Sequence, residues 1–258
     1  MFRLTILASG SSGNAALLET GRRRWLVDAG LSARRLEERL QAIGVEPSSL
    51  SGVFLTHEHA DHSRGLHVLL RRHSLPLYCN ELTWLALAEE SKIDWRRLET
   101  ATRLELDEME IESFSVPHDA ADPVGFLFHH AAGTVGVLTD LGYATRLVLE
   151  KMSRCRALLL EANHDPQLLQ ADSRRPWSVK QRILSRHGHL SNQSAAEITA
   201  EMARRGLQKI VLGHLSADCN RPALVEEAIR NRLDDADLPS LSIHVWTESA
   251  PTPPLCWE

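Results

Sequence analysis

Four potential metal ligands lie within six residues of the sequence, at His57, His59, Asp61 and His62. They follow an apolar run at 53–55 that predicts a buried strand. On extended backbone the side chains of residues i and i+2 share a face, so His57 and His59 can bind one ion. Asp61 and His62 lie where the chain turns into a predicted helix, so they point elsewhere and can serve a second ion. The spacing H-x-H-x-D-H therefore predicts a dinuclear metal site rather than the H-E-x-x-H pattern of helical zinc proteases.

A purely structural role is the alternative to a metal site, because a single histidine beside a core strand is usually only a hydrogen-bonded side chain. Three imidazoles and a carboxylate this close together would repel one another or lack partners when buried, unless a cation organises them. The density of ligands therefore favours a metal.

Further candidate ligands follow other predicted strands, one at each strand end. Taken singly, such residues are more often turn residues, but their recurrence at successive strand ends favours a common site. They are Asp28, His118, Asp140 and His214.

The surrounding elements alternate in an α/β rhythm. Strand-like runs are predicted at 3–8, 15–19, 24–27, 77–79, 103–106, 110–116, 124–128, 134–139, 156–160, 210–212 and 241–245, and helices at 32–44, 81–90, 191–205 and 224–229. The proline-rich end is expected to be loose. On this interpretation, the strands place the candidate ligands at one edge of a sheet.

Length and composition set broad limits on the protein. The 258 residues are 43% hydrophobic, enough for a substantial core, and no composition break marks a linker, so residues 1–258 are predicted to form a single domain. The net charge of −5 makes the whole molecule a poor attractor of polyanions, so any nucleic-acid contact must be local. No signal peptide and no apolar run of about 20 residues is present, which predicts a cytoplasmic protein without membrane contact.

One segment has a local basic character. Residues 173–189 carry five cationic side chains and no acidic residue, at Arg174, Arg175, Lys180, Arg182 and Arg186. The segment is interpreted either as a solvated helix face or as a phosphate-contacting strip that leads to the site. Both interpretations stay open at the level of the sequence.

The ordered motifs resemble those of the metallo-β-lactamase superfamily over nearly the entire chain. That resemblance implies an α/β (α+β) fold, a four-layer αββα sandwich, with two divalent metal ions at the sheet edge. It implies that His57, His59 and His118 bind one ion, that Asp61, His62 and His214 bind the other, that Asp140 bridges them, and that Asp28 supports the ligands by hydrogen bonding.

Shorter phrases look like one branch of that superfamily. LASGSSGN, EANHD, GHLSN and LGHLS resemble the YycJ (WalJ, VicX) group of bacterial proteins, regarded as DNA exonucleases. Glu161 and His189 are similar to the glutamate and histidine of the ribonuclease Z catalytic boxes, which assist proton transfer. The chain is too short for the insertion domain of ribonuclease J-like enzymes and lacks the arm typical of ribonuclease Z, which argues against tRNA maturation.

These residues predict a metal-dependent phosphodiesterase or exonuclease that acts on nucleic-acid ends, with DNA favoured and RNA possible. Two ions about 3.5–4 Å apart would lower the pKa of a bridging water from about 15.7 towards about 7, giving a hydroxide that attacks phosphorus. Asp61 would orient this nucleophile, and His189, held by Glu161, would protonate the leaving oxygen. Imidazole and carboxylate ligands suit zinc or manganese, and the sequence does not choose between the two.

Two other functions compete with the nuclease. A thioesterase or small-ester hydrolase resembling glyoxalase II would share the H-x-H-x-D-H site but would need no basic strip. A non-catalytic regulatory protein could keep the metals for folding alone. The presence of all seven ligand positions argues against this loss of catalytic activity. Fold membership by itself selects no substrate.

Overall fold

Two mixed β-sheets form the centre of the protein. The computed structural model describes residues 2–87, 92–234, 238, 241–247 and 251–257. Within these ranges, fourteen strands are divided equally between the two sheets.

The first sheet contains the strands β1 (Phe2–Ala8), β2 (Ala15–Glu19), β3 (Arg24–Val27), β4 (Gly52–Phe54), β5 (Leu77–Cys79), β6 (Trp95–Arg97) and β14 (Leu255–Trp257). Their order is β14-β1-β2-β3-β4-β5-β6. β3 to β6 run parallel to one another, so their carboxyl ends lie at one edge of the sheet.

The second sheet contains the strands β7 (Arg103–Leu106), β8 (Met109–Ser115), β9 (Val124–His130), β10 (Gly133–Leu138), β11 (Ala157–Glu161), β12 (Lys209–Gly213) and β13 (Ser242–Val245). Their order is β13-β12-β11-β10-β9-β8-β7. β10 to β13 run parallel, and the register aligns Leu138 with Leu160 and Leu160 with Leu212. Asp140 and His214, two residues beyond this row, consequently emerge at the same edge.

The helices cover the outer faces of both sheets. They are α1 (Ala33–Ala42), α2 (Ala60–Ser63), α3 (Leu66–His73), α4 (Glu81–Ala86), α5 (Arg146–Met152), α6 (Pro166–Ala171), α7 (Trp177–Leu184), α8 (Asn192–Arg204) and α9 (Pro222–Asp234). Apolar residues at helical spacing, such as Leu36 and Leu40 of α1, pack α1 and α3 on the first sheet. α5, α8 and α9 cover the second sheet in the same way.

The core between the sheets is rich in aromatic side chains. Phe54 of the first sheet lies 5.8 Å from Phe126 and 5.5 Å from Phe128 of the second sheet, measured between ring centroids. Helix, sheet, sheet and helix therefore stack in the order of the predicted αββα sandwich, which is confirmed.

The expectation of a loose proline-rich end is wrong for residues 255–257. These residues form β14, which pairs antiparallel with β1 and aligns Leu255 with Leu4. Just before β14, the backbone N–H of Thr252 donates to the carbonyl of Ile6, and the Ile6 N–H donates to the Thr252 hydroxyl, both at 3.0 Å. Without β14, the backbone groups at the edge of β1 would have no strand partner. The hydrogen bonds gained by this pairing outweigh the tendency of the nearby prolines to keep the end irregular.

Some predicted boundaries differ from the structure. The predicted helix at 81–90 corresponds to α4 (Glu81–Ala86), and residues 88–90 of the prediction lie outside the described ranges. β6, α5 and α6 were not predicted, because β6 has two arginines among its three residues and the two helices have only seven and six residues, too few for a clear apolar period. None of the helices in the described ranges is long and apolar enough to cross a bilayer.

Candidate metal centre and active site

Three histidines form a first cluster at the edge where the parallel strands end. His57 and His59 follow β4, and His118 follows β8. The ring centroid of His57 lies 4.7 Å from that of His59 and 5.1 Å from that of His118. One ligand atom from each residue falls within 4.8 Å of the other two. The chain thus brings together the three imidazoles that the resemblance assigns to one ion.

Asp61, His62, Asp140 and His214 form a second cluster beside the first. Asp140 Oδ2 lies 2.8 Å from His62 Nε2 and 3.0 Å from His214 Nδ1. Asp61 Oδ2 lies 3.7 Å from the Nε2 atoms of both histidines. The other oxygen of Asp140 lies 3.8 Å from His118 Nε2, so this carboxylate lies between the two clusters.

The two clusters fit divalent cations. His57 Nε2 is buried and has no hydrogen-bond partner among the described residues. A buried polar atom without a partner is costly, and a cation would satisfy it. Imidazole nitrogens with carboxylate oxygens are the ligands of borderline transition metals.

Asp28 and Thr56 orient the ligands. Asp28 Oδ2 lies 2.8 Å from His62 Nδ1, and Asp28 Oδ1 accepts from the Thr56 N–H at 2.8 Å. The Thr56 hydroxyl lies 3.0 Å from His57 Nδ1. These contacts occupy Nδ1 of His62 and of His57 and turn their Nε2 atoms toward the centre, which is the arrangement expected around metal-binding histidines. His57 Nε2 has no partner there, and His62 Nε2 lies 2.8 Å from Asp140 Oδ2 and 3.0 Å from Asn14 Nδ2.

The pKa values of the histidines in the site are shifted in different directions by burial and by neighbouring charges. Burial lowers the pKa of His57 well below its usual range, and burial also lowers the pKa of His118. Burial likewise disfavours the charge on His62, but the charges of Asp140 and Asp28 outweigh burial and raise its pKa well above the usual range. The pKa of Asp140 would rise with burial, yet His214 and His62 hold it well below the usual range. An anionic Asp140 thus faces a His62 that favours its protonated form, whereas His57 and His118 favour the neutral form and keep a lone pair for a metal.

Three residues of the site adopt left-handed backbone conformations. The φ angles are 62° at Asp28, 52° at Asp140 and 55° at His214, each directly after or just beyond a strand. Such conformations are uncommon for residues other than glycine and persist only where the surroundings enforce them. They turn the three side chains inward at the sheet edge.

Gly30 lets two turns approach each other behind the ligands. A Cβ atom at Gly30 would lie 1.7 Å from the carbonyl oxygen of Asp61. That carbonyl accepts from the Asn14 N–H at 2.7 Å, and the His62 carbonyl accepts from the Ala29 N–H at 2.7 Å. The SGSSGN and DAG segments therefore brace the backbone of the ligand turn, a function that the sequence did not reveal.

Glu161 and His189 form a pair next to Asp140. His189 Nδ1 lies 2.5 Å from Glu161 Oε1, and Glu161 Oε2 accepts from the backbone N–H groups of Leu141 at 3.0 Å and Leu190 at 3.2 Å. Burial lowers the pKa of His189, but the charge and hydrogen bond of the fully buried Glu161 outweigh it and raise that pKa to about 9. His189 Nδ1 lies 3.5 Å from Asp140 Oδ1. The pair can hold a proton at the edge of the metal centre.

The five cationic residues of segment 173–189 have separate surroundings. Arg174 and Arg175 both pair with Asp172 and Asp218, and Arg182 pairs with Asp119. Lys180 is buried and donates to the Gln170 carbonyl at 2.7 Å, and the Arg186 guanidinium lies 4.8 Å from the centre of the Tyr143 ring. Acidic residues outside the segment, which a local charge count does not include, thus balance part of its charge.

A small cavity connects α7 with the metal centre. Its volume is about 200 Å³, and its lining includes Arg175, Arg182, Ser11, Asn163 and His189. Two arginines and a histidine therefore line the same space, together with Asp119, which pairs with Arg182.

Comparisons with known proteins agree with this geometry. Residues 23–215 match the family model described as "Beta-lactamase superfamily domain". The chain is 39% identical over 243 residues to "Exodeoxyribonuclease WalJ" of Streptococcus pneumoniae serotype 2, covering 92% of this chain and 90% of that protein. It is 36% identical over 238 residues to "Exodeoxyribonuclease YycJ" of Bacillus anthracis, covering 90% and 89%.

The fold is also similar to solved structures. The metallo-beta-lactamase fold protein YhfI from Bacillus subtilis superposes with a TM-score of 0.74 at 16% identity, covering 97% of this chain and 98% of that chain. At such identity the likeness concerns the fold alone.

Proposed function

The chain belongs to the metallo-β-lactamase superfamily, and on that basis we propose that it is a metal-dependent exonuclease that hydrolyses phosphodiester bonds at nucleic-acid ends. DNA is the favoured substrate, because the two relatives described above are both named exodeoxyribonucleases. The observation that carries the proposal is the cavity in which His189 faces Arg175 and Arg182 beside the two clusters. Guanidinium groups match phosphate oxygens in geometry and charge.

The site residues of the proposal divide between two ions. His57, His59 and His118 would hold one ion, and Asp61, His62 and His214 would hold the other, with Asp140 lying between the two groups. When bound, a pair of divalent ions, zinc or manganese, supplies Lewis acidity toward the phosphodiester and lowers the pKa of water. Asp28 keeps His62 in the tautomer whose Nε2 faces the centre.

Proton transfer falls to the protein's own side chains. Asp61 has 24% of its side chain exposed, which lets its carboxylate orient the attacking water. His189 keeps Nδ1 on Glu161, so Nε2 is the atom that donates a proton to the leaving oxygen. Glu161 stays fixed during this step because two backbone N–H groups hold its other oxygen.

Phosphate contacts come from the arginines of segment 173–189. Arg175 and Arg182 face the cavity, Arg174 is 67% exposed next to them, and Arg186 lies over Tyr143. Lys180 is buried, so its contribution is to anchor α7 rather than to touch the substrate.

We also propose that residues 1–258 act as a single domain. The core between the sheets draws side chains from both of them, including Phe2 at the beginning of the chain and Trp246 near its end. Removal of either end would therefore expose part of the shared core.

The test is a time course with 5′- and 3′-labelled oligonucleotides, single- and double-stranded, in manganese or zinc. Wild-type protein and the control Asp94→Ala, which removes an exposed carboxylate paired with Arg96, are expected to produce a ladder from one labelled end. Asp61→Ala is expected to produce none. Failure of metal-loaded wild type to cleave any of these substrates would refute the nuclease.

A second experiment tests the phosphate contacts. Arg174→Ala/Arg175→Ala is expected to weaken oligonucleotide binding and to reduce the slope of log affinity against log salt by about one for each arginine–phosphate pair removed. The matched control, Arg230→Ala, removes an arginine paired with Glu226 on α9. Equal slopes in wild type and double variant would show that these arginines do not contact phosphate.

A further inference from the structure

The turn between β1 and β2 carries a serine and an asparagine whose side chains are buried beside the second cluster. They are Ser9, directly after β1, and Asn14, directly before β2. Neither belongs to the groups of residues that could hold a metal ion. Buried hydroxyl and amide groups need hydrogen-bond partners, so the contacts of these two side chains indicate their role.

The hydroxyl of Ser9 holds the backbone of His214. Its oxygen accepts from the His214 N–H at 2.7 Å, although the two residues are 205 positions apart in the chain. On the other side, Asn163 Nδ2 donates to the His214 carbonyl at 3.0 Å. A Cβ atom at Gly213 would lie 2.5 Å from Ser9 Oγ, so the glycine permits this close approach. The left-handed conformation of His214, with φ of 55°, is thus fixed by side chains at both its N–H and its carbonyl.

The amide of Asn14 continues the series of hydrogen bonds from Ser9 to the other ligands. Asn14 Oδ1 lies 3.3 Å from the Ser9 hydroxyl, which donates to it. Asn14 Nδ2 donates to the Asp61 carbonyl at 3.3 Å and lies 3.0 Å from His62 Nε2. The backbone N–H of Asn14 donates to the same Asp61 carbonyl at 2.7 Å. The series therefore runs from the His214 backbone, through two buried side chains, to the ligand turn.

This series joins ligands that come from different sheets. Asp61 and His62 follow β4 of the first sheet, whereas His214 follows β12 of the second sheet. The geometry of the second cluster therefore depends on how the ends of the two sheets are aligned. Hydrogen bonds have narrow ranges of distance and angle, and a buried polar network specifies one arrangement of its members.

The first cluster has other supports. His57 Nδ1 lies 3.0 Å from the Thr56 hydroxyl, and His118 Nδ1 lies 3.2 Å from the Gly188 carbonyl. Within the described part of the chain, no hydrogen bond joins the two turn side chains to a histidine of this cluster. Loss of either turn side chain should consequently affect the second cluster more than the first.

We propose that Ser9 and Asn14 are positioning residues for the ion of the second cluster, which align His214 with the ligand turn across the two sheets before the metal binds. The inference rests on the two-ion site of the proposed function and goes beyond it, because neither residue has a role there. Removal of a hydrogen-bond partner behind the ligands typically lowers metal affinity about 10- to 100-fold. This loss should fall on one of the two ions.

The first test measures metal affinity without a nuclease assay. Metal-free protein is reloaded with manganese or zinc in competition with a chelator series. Wild type should show two tight sites, whereas Ser9→Ala and Asn14→Ala should each show one tight site and one site weakened about 10- to 100-fold. The matched controls are Ser113→Ala and Asn80→Ala, which remove a buried serine and a buried asparagine that donate to carbonyls of residues outside the two clusters. Both controls should keep two tight sites.

The double variant Ser9→Ala/Asn14→Ala tests whether the two side chains act as one unit. Because they are joined by a hydrogen bond and support the same ion, the loss of affinity in the double variant should be smaller than the sum of the two single losses on a logarithmic scale. Fully additive losses would show that the two side chains act independently and would overturn the proposed series.

Two tight sites in both single variants would overturn the proposal. Equal weakening of both ions would overturn it as well, because general damage to the fold has no preference for one cluster. Ser9→Ala removes only a hydroxyl oxygen, so this variant decides the question if Asn14→Ala does not fold.

The metal measurements also separate this inference from the nuclease. If wild type binds two ions but cleaves no oligonucleotide, the nuclease has failed, and selective weakening in the variants still supports the positioning role. If wild type cleaves and the variants keep two tight sites, the positioning role has failed and the nuclease stands. If wild type binds only one ion, the two-ion site and the positioning role fail together.

Discussion

Replacing Asp28 with asparagine should lower the affinity for one of the two metal ions selectively. Asp28 Oδ2 lies 2.8 Å from His62 Nδ1, and Oδ1 accepts from the Thr56 N–H at 2.8 Å. Asparagine keeps one acceptor oxygen. If this oxygen stays on the Thr56 N–H, an NH₂ group faces Nδ1 and can be accommodated only if His62 moves its proton to Nε2. That proton would block the nitrogen that faces Asp140.

The expected magnitude follows from the hydrogen bond between Asp28 and His62. Loss of the hydrogen-bond partner of a metal-binding histidine typically costs 10- to 100-fold in metal affinity, equivalent to about 1.4–2.8 kcal/mol. The loss should fall on the ion held with His62. The ion held by His57, His59 and His118 should be affected less, because its contact with Asp28 runs only through Thr56.

The assay is competition of zinc or manganese against a chelator series, with the bound metal counted by mass spectrometry. Wild type should show two tight sites, and Asp28→Asn one tight and one weakened site. Glu112→Gln is the matched control, because it neutralises another buried carboxylate that is engaged by Lys151 and His129 away from the ligands. Two unchanged sites in Asp28→Asn, or equal weakening of both, would refute the reasoning.

Three further outcomes are expected. Glu161→Gln should lower kcat by about 10²- to 10⁴-fold with little change in KM, whereas Glu112→Gln should keep kcat near wild type in steady-state assays. Gly30→Ala should lower the melting temperature and the metal content, since its Cβ would lie 1.7 Å from the Asp61 carbonyl, whereas Gly21→Ala meets nothing within 4 Å and should melt like wild type. Burial raises the pKa of Glu112, but its cationic neighbours outweigh burial and lower that pKa below 4.5. The ion pairs of ionised Glu112 therefore stabilise the folded protein fully above pH 4.5, and this contribution is lost as the pH falls through the folded pKa. Between pH 5 and 3, the unfolding free energy of wild type should fall more steeply than that of Glu112→Gln. Parallel pH profiles in urea titrations would contradict this sign.

The charge balance of segment 173–189 changes how it would bind a substrate. Asp172, Asp218 and Asp119 neutralise much of the charge on Arg174, Arg175 and Arg182. The pairs of Arg174 with Asp218 and of Arg182 with Asp119 are largely exposed, and such pairs contribute little to stability and can exchange with a phosphate. The contact is consequently expected to depend on salt while adding only a modest long-range attraction, in line with the net charge of −5.

Sequence patterns alone specify the chemistry of the metal centre. His57, His59, Asp61 and His62 are close in the chain, so the local geometry of a strand end already brings their side chains together. The α/β rhythm and the strand ends at Asp140 and His214 followed from the 2- and 3.6-residue periods of apolar residues. These signals are local, which is why they can be read without coordinates.

Tertiary packing is needed to show which distant groups face each other. The pair of Glu161 with His189, the contact of Asn14 with His62 and the ion pairs of Asp218 join residues 28 to 48 positions apart, which no period or spacing encodes. The cavity lined by Arg175, Arg182 and His189 likewise exists only because segments from different parts of the chain meet at one edge, as Ser11 and Asn163 in its lining show. Local sequence sets which atoms can bind a metal or move a proton, and packing sets which of them meet.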